Sequence, residues 1–298
     1  MSDLNQNEPD YDSDGLPSSV RRYAYEGTDH FSRVLAREKK KLLDSIRESS
    51  ELFILSKASD STKLEPSTEI SEYTIFSIDP ITFHMDFIDP NAIPIRGIRT
   101  SYNPKTELLI VKMVTQEHSQ IAFALHRAVD YSLMRMGLNQ AVFDYMGVDI
   151  NVNGRVKQPD MGWGPRRPPR GCSQRPTVVL EVAVSESESK LRREVTMWVD
   201  PARGRANVAI AINVSRKKPM VSIGTWIWDP VNGTSLESQH IEVSESETDE
   251  VKLSGGPLII PFHLFFLRDP ETPRETDVII DKEGLQQIAE WGWDAQFQ

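Results

Sequence analysis

The segment GRVKQPDMGWGPRRPPRGCSQRPTVVLEVAVSES, residues 154–187, places two acidic residues where they could act together. Asp160 follows a proline, and Glu181 interrupts an otherwise apolar run at 177–184. A charge buried in such a strand costs several kcal/mol unless something pairs with it. Successive strand residues point to opposite faces, so Glu181 projects from one face only. If Asp160 lies on the neighbouring strand, the two carboxylates converge.

A hard divalent cation is the partner that this pair predicts. Mg²⁺ or Mn²⁺ would neutralise both carboxylates while keeping some of its bound waters. Such an ion polarises a phosphoryl oxygen, lowers the pKa of a bound water and organises in-line displacement at a phosphodiester. The spacing leaves a second interpretation open. In it Glu181 pairs with an arginine such as Arg193 or caps a neighbouring segment, and Asp160 begins a turn after Pro159.

Basic charge is concentrated around the two acids. The whole chain has a net charge of −10, which argues against a nucleic-acid partner, but residues 151–220 carry 14 Lys and Arg against 6 Asp and Glu. A local excess of +8 suits a phosphate backbone, although charge runs are also common on plain solvated surfaces. The residues predicted to bind nucleic acid are Arg155, Lys157, Arg166, Arg167, Arg170 and Arg193.

The composition narrows the class of protein. The chain has 298 residues, of which 39% are hydrophobic, enough for a folded core. It has no run of 18 apolar residues, and its acidic, polar N-terminus is unlike a signal peptide. The single cysteine, Cys172, excludes an intrachain disulfide and a thiolate zinc site. We therefore expect an intracellular protein, cytoplasmic or nuclear, that is not embedded in a membrane.

The elements that must position the two acids follow from hydrophobic periodicity. Residues 1–28 are predicted to be a disordered acidic tail, and 29–94 an amphipathic helix with a lead-in segment in which ITFHMDF is a strand. Over 95–290 we expect a hairpin turning at 103–105, a helix ending at Gly137, an Asn-Gly turn at 153–154 and the Glu181 strand. A helix opened by a capping box at Ser185, two strands and a last helix follow. Hairpins mixed with a helical crossover predict an α/β fold with a mixed central sheet flanked by helices.

Two motifs resemble those of a known family. QPD, followed about 20 residues later by TVVLEVAVSES and then KLRREVTMWV, is similar to the PD-(D/E)XK restriction-endonuclease-like superfamily, and in particular to a group of fungal nuclease-like proteins. The likeness covers roughly 95–290 and includes RTSYNPKTELLIVKMVTQEHSQIA and GPLIIPFHLFFLRDP.

The resemblance implies roles for particular residues. Asp160 and Glu181 match the metal-binding acids, and Glu117 lies where some members place a further carboxylate. The family's lysine, two residues after the glutamate, is Ala183 here. Lys190 on the following helix is the predicted substitute, unless it is a solvated helix residue.

Two functions are compatible with these features. One is a metal-dependent nuclease that uses Asp160, Glu181 and Lys190. The other is a catalytically inactive relative that binds nucleic acid or protein. The residue at position 183 separates the two from sequence alone.

Overall fold

The computed structural model describes residues 16, 20–58, 70–89, 92, 97–184, 188–246 and 250–297. The helices in these ranges are α1 (Thr28–Ala58), α2 (Pro80–Phe83), α3 (Gln116–Met136), α4 (Glu188–Val199), α5 (Phe262–Phe266) and α6 (Lys282–Phe297). The strands are β1 (Arg22–Ala24), β2 (Tyr73–Ser77), β3 (Ile98–Asn103), β4 (Leu108–Met113), β5 (Val142–Asp144), β6 (Ile150–Val152), β7 (Arg155–Lys157), β8 (Met161–Pro165), β9 (Val178–Val184), β10 (Val208–Val214), β11 (Met220–Asp229), β12 (Thr234–Glu245), β13 (Val251–Ser254), β14 (Leu258–Ile260) and β15 (Val278–Ile280).

The strands form two large sheets and one small one. The larger has seven strands in the order β13-β12-β11-β10-β9-β8-β5, and the second has six in the order β1-β2-β4-β3-β7-β6. β14 and β15 form the two-stranded sheet. β9 and β10 are parallel and joined by α4, whereas β8 and β11 run antiparallel to their neighbours. The predicted α/β fold with a mixed sheet flanked by helices is therefore confirmed.

β9 lies inside the seven-stranded sheet and is buried on both faces. Its even-numbered residues pack in the core that α3 and α6 complete, and Val179 and Ala183 pack on the other face against α4. Each such apolar side chain contributes about 1.5–3 kcal/mol when fully buried. The predicted strand and the helices on either side of it are correct, and α3 ends at Gly137 in the left-handed conformation (φ 78°).

A second hydrophobic core lies between the six-stranded sheet and α1. Leu109, Val111 and Met113 of β4 pack with α1. Because side chains alternate along a strand, Lys112 projects from the opposite face. β7 pairs with β3 through Ser101↔Lys157, and three residues later Asp160 precedes β8 of the other sheet. The two sheets therefore meet at the QPD motif.

The hairpins around the motif were predicted correctly. β3 and β4 are joined by the turn at 104–107, and β6 and β7 by Asn153 and Gly154, both with positive φ (50° and 81°). Asn and Gly are the residues that tolerate this conformation in a two-residue turn.

Two predictions in the N-terminal part are wrong. ITFHMDF is helical, because the Asp79 side chain accepts hydrogen bonds from the backbone N–H groups of Ile81 and Thr82 and Pro80 occupies the first turn. α2 then continues as a π-helix over His84–Ile88. The predicted tail is too long, because β1 lies within it and pairs with β2.

Some predictions lie outside the described residues. The rest of the predicted tail, 1–15 and 17–19, is among these, as is the capping box at 185–187. Of the helices described, none is long and apolar enough to cross a membrane.

Candidate functional site

Asp160 is buried at the point where the two sheets meet. Extending the pairing Met161↔Leu180 by one residue puts Asp160 opposite Glu181. Its Oδ2 accepts hydrogen bonds from the Val182 N–H and the Lys112 ammonium, both at 2.8 Å, and His118 Nε2 lies 3.0 Å away. Burial alone would raise the pKa of this carboxyl, but His118 and Lys112 outweigh burial and hold the pKa well below its usual range. Asp160 is therefore an anion at neutral pH.

Lys112 is the cation that faces Asp160. Its Nζ lies 2.8 Å from Asp160 Oδ2 and donates to the Val182 carbonyl oxygen at 2.5 Å. The side chain is buried, which by itself lowers the lysine pKa. Negative charge, above all from Asp160 and Glu72, reverses the effect and raises the pKa well above 10.5. Lys112 therefore stays charged inside the protein.

Glu181 is stabilised in a different way. Its Oε1 accepts a hydrogen bond from the Trp198 indole N–H at 2.6 Å, and Lys157 Nζ lies 3.5 Å away. Burial, together with the charge on Glu194, raises the pKa of Glu181 to about 8 against the attraction of Lys157. At pH 7 this carboxyl is therefore mostly protonated, so the charge that the apolar strand would otherwise bury is largely absent.

Glu194 links two further lysines to the site. Its Oε1 accepts hydrogen bonds from Lys157 at 2.9 Å and from Lys190 at 2.6 Å. Burial would raise the pKa of Glu194, but the two ammonium groups lower it below its usual range. Lys190 is 3% exposed, so it is not a solvated helix residue. Its ammonium points at Glu194 and lies 5.4 Å from the centre of the Tyr73 ring.

These contacts define a buried cluster of acids and lysines. We call it the buried cluster, and its members are Glu72, Lys112, Lys157, Asp160, Glu181, Lys190 and Glu194. The sequence predicted that Asp160, Glu181 and Lys190 belong to one site, and the cluster contains all three.

Glu117 is not part of this cluster. It is buried in the first turn of α3, but the neighbouring His118 is the residue that approaches Asp160. Consecutive helix residues project about 100° apart at 3.6 residues per turn, so the two side chains do not share one direction. In the ranges that the structure describes, no three His, Cys, Asp or Glu side chains are grouped to hold a metal ion. The predicted three-carboxylate set of Asp160, Glu181 and Glu117 is thus not assembled.

A divalent ion does not fit the cluster as it stands. The ammonium of Lys112 lies at hydrogen-bonding distance from Asp160 Oδ2 and occupies that oxygen. Glu181 accepts a hydrogen bond from the Trp198 indole and its pKa is raised by burial, so a metal would have to displace a proton to bind it. The second interpretation of the sequence is closer to the structure, although the cations are lysines and not Arg193.

A cleft opens beside the cluster. Its cavity of about 50 Å³ is lined by five basic side chains and one acidic side chain. We call it the basic cleft, and its lining residues are Ser101, Arg155, Lys157, Lys190, Arg193, Glu194, Met197 and Arg203. A smaller cavity of about 10 Å³, enough for roughly one water, adjoins it and reaches Lys112 and Glu181.

Half of the predicted nucleic-acid-binding residues line this cleft. Arg155, Lys157 and Arg193 do so, whereas Arg166, Arg167 and Arg170 are exposed beyond the far end of β8. Arg166 lies over the Phe143 ring at 5.4 Å. At about 3.3 Å per strand residue it is roughly 20 Å from Asp160 along the chain.

Sequence reasoning missed Lys112, His118 and Glu194. Lys112 carried a readable signal, because a lone lysine in ELLIVKMV is the same kind of anomaly as a lone glutamate in TVVLEVAV. Glu194 stands four residues after Lys190, the spacing of an ion pair on one helix face. His118 gave no comparable signal.

Comparison with known proteins gives little direct guidance. No protein-family model matches the chain. No curated protein matches it either. Among solved structures, one that resembles it is a candidate nuclease of DUF820 from Anabaena variabilis, with 11% sequence identity and a TM-score of 0.37. The match covers 67% of this chain and 94% of the other. Similarity at this level establishes neither a family nor a function.

Proposed function

We propose that this chain is a nuclease-like protein that binds nucleic acid in its basic cleft without metal-dependent cleavage. The observation that carries the proposal is that buried ammonium groups face both acids a metal would need, Lys112 at Asp160 and Lys157 at Glu181. The predicted substitute Lys190 is bonded to Glu194 instead. The nuclease-like assignment is supported by the QPD and TVVLEVAVSES motifs, whose acids lie opposite each other where β8 begins beside β9.

The cleft has the charge that a phosphate backbone requires. Arg155 on β7 and Arg193 on α4 approach it from two different elements, and Arg193 is exposed to solvent. Lys157 and Lys190 contribute less, because both are bonded to Glu194. Contacts of arginine with phosphate release counterions, so affinity should depend steeply on salt.

Metal-dependent hydrolysis is the second candidate function. The position of Asp160, directly before β8 and opposite Glu181 of β9, favours it, since these are the acids predicted to bind Mg²⁺ or Mn²⁺. Two features count against it: the family's lysine is replaced by Ala183, and the predicted substitute Lys190 is bonded to Glu194.

Binding can be tested without metal. Fluorescence anisotropy with labelled duplex and single-stranded DNA and RNA, in EDTA and over a salt series, should give saturable binding. Arg155→Ala with Arg193→Ala should weaken it and lower the salt slope on duplex DNA by about 1.8, or about 0.9 for each lost phosphate contact. Lys252→Ala with Arg274→Ala is the matched control, because it removes the same charge from exposed positions outside the cleft. Equal losses in the two variants would contradict the assignment of the cleft.

A further inference from the structure

Two oxygens from different parts of the chain converge on one nitrogen atom. Asp160 Oδ2 lies 2.8 Å and the Val182 carbonyl oxygen 2.5 Å from Lys112 Nζ. Carboxylate and backbone carbonyl oxygens are the ligands that hard divalent cations take. Their convergence on a single point marks a cation position, and here the cation is an ammonium group.

Further buried acids surround this ammonium, and they are shared with the cations Lys157, Lys190 and Arg99. Besides Asp160, the carboxyl groups of Glu72, Glu181 and Glu194 act on Lys112. Among the described residues, three buried oxygens of these acids have no hydrogen-bond partner: Asp160 Oδ1, Glu72 Oε2 and Glu194 Oε2. Buried acceptors are normally satisfied, so Asp160 Oδ1 is the oxygen of the Lys112–Asp160 pair that is left for a second cation, with Arg99 Nε 3.9 Å from it.

We infer that Lys112 occupies the cation position of this site and excludes hard divalent cations from it. Neutralising Lys112 then creates a site for Mn²⁺ or Mg²⁺ at Asp160 and the Val182 carbonyl. The inference rests on one part of the proposed function, namely that the cluster holds no metal. It does not depend on nucleic-acid binding. It also explains why the acids predicted as metal ligands are present although the ions do not fit.

Lys112 competes well with free metal because it is tethered. Lys112 is on β4 of the six-stranded sheet. The packing of the two sheets places its ammonium beside Asp160, which precedes β8 of the other sheet. A tethered group acts at an effective concentration that free ions must exceed, about millimolar for short flexible tethers and higher for a fixed one.

The test is Mn²⁺ binding, measured by electron paramagnetic resonance without nucleic acid. Lys112→Met keeps the length of the side chain and removes its charge, so it should bind one Mn²⁺ about tenfold or more tightly than the wild type. Lys112→Arg is the matched control, because it keeps the cation and should bind no more Mn²⁺ than the wild type. Adding Asp160→Asn to Lys112→Met should abolish the gain.

Folding is followed in the same samples by circular dichroism. Mn²⁺ should raise the melting temperature of Lys112→Met, or restore its folded spectrum if the metal-free variant is unfolded, and should leave the wild type unchanged. A folded Lys112→Met that binds no more Mn²⁺ than the wild type would overturn the inference.

If Lys112→Met folds neither with nor without Mn²⁺, ¹⁵N-lysine NMR of the wild type tests the inference. A slowly exchanging Lys112 ammonium signal that millimolar Mg²⁺ leaves in place supports the inference, and displacement of that signal by Mg²⁺ refutes it. None of these measurements depends on nucleic-acid binding, so failure of the proposed function would be seen separately.

Discussion

Glu181 is the residue whose charge responds to pH near neutrality. Burial raises its pKa to about 8, against an ordinary value of 4.5. The folded state therefore holds this proton more tightly than the unfolded state does. The stability that the proton contributes is complete below about pH 4.5 and is lost as the pH rises through 8, at about 1.4 kcal/mol for each unit of separation.

Glu181→Gln should remove this pH dependence. Glutamine keeps an acceptor for the Trp198 indole and has no proton to lose, so the variant should match the wild type near pH 5 and become increasingly more stable up to about pH 8. Urea unfolding across this range measures the difference.

Glu275→Gln is the control for this titration. Arg268 lowers the pKa of Glu275 to about 2, so the stability that it contributes is lost only in acid and is constant across the tested range. A Glu181→Gln difference that does not grow with pH would mean that Glu181 is ionised throughout.

The Lys112–Asp160 pair should be strongly coupled. Lys112→Met leaves Asp160 as a buried anion with fewer partners and should cost about 3–5 kcal/mol of unfolding free energy. Adding Asp160→Asn removes the uncompensated charge, so the double variant should lose less than the sum of the single losses, by about 0.5–3 kcal/mol. A double-mutant cycle by chemical denaturation measures this, and strict additivity would show that the pair does not interact.

At the scale of elements, α4 organises one side of the site. Lys190, Glu194 and Trp198 recur every four residues, so they share the helix face that covers Glu181 on β9. This face carries two charged side chains, Lys190 and Glu194, and one aromatic side chain, Trp198. Trp198 of this face donates to Glu181 of the sheet and also packs in the core.

Lys190→Met is expected to destabilise the protein less than Lys112→Met does. Glu194 keeps Lys157 as a partner when Lys190 is lost, whereas Asp160 loses its closest ammonium when Lys112 is lost. Unfolding free energies of the two variants, measured side by side, test the order. A larger loss at Lys190 would mean that Glu194 depends on it alone.

Element types were predictable wherever one periodicity dominated. α3 and β9 have clear apolar patterns, and Gly137 and the Asn153-Gly154 turn marked ends correctly. ITFHMDF was misassigned because its alternation resembles a strand, while the capping signal of Asp79 and Pro80 lies just before it. Local capping outweighed the alternation.

The cation that pairs with each acid could not be predicted from local sequence patterns. Asp160 and Glu181 could be paired from their spacing, but Lys112 comes from a strand 48 residues before Asp160 and from the other sheet. Only the packing of the two sheets places that ammonium at the acids. The choice between metal and lysine therefore depended on tertiary structure.

At the scale of the whole molecule, an acidic protein carries two separate groups of basic residues. One is the basic cleft, and the other is the exposed group of Arg166, Arg167 and Arg170 beyond the far end of β8. Arg166, the first of the group, is about 20 Å from Asp160 along the chain. A duplex that follows the cleft need not reach the second group.

Removing the second group should therefore have the smaller effect. Arg166→Ala, Arg167→Ala and Arg170→Ala together should weaken duplex binding less than Arg155→Ala with Arg193→Ala, although three charges are lost and not two. Salt slopes from anisotropy titrations compare them directly, at about 0.9 for each phosphate contact. A larger loss of affinity in the triple variant would indicate that duplex DNA binds at the far end of β8 and not in the basic cleft.

The most direct test of the account combines binding and cleavage in one experiment. Purified wild-type protein is incubated with supercoiled plasmid and with labelled oligonucleotides, in EDTA, Mg²⁺ or Mn²⁺, and both mobility shift and strand integrity are read. We expect the same mobility shift in all three conditions and intact strands throughout. Cleavage that requires metal and disappears in Glu181→Gln would contradict this expectation.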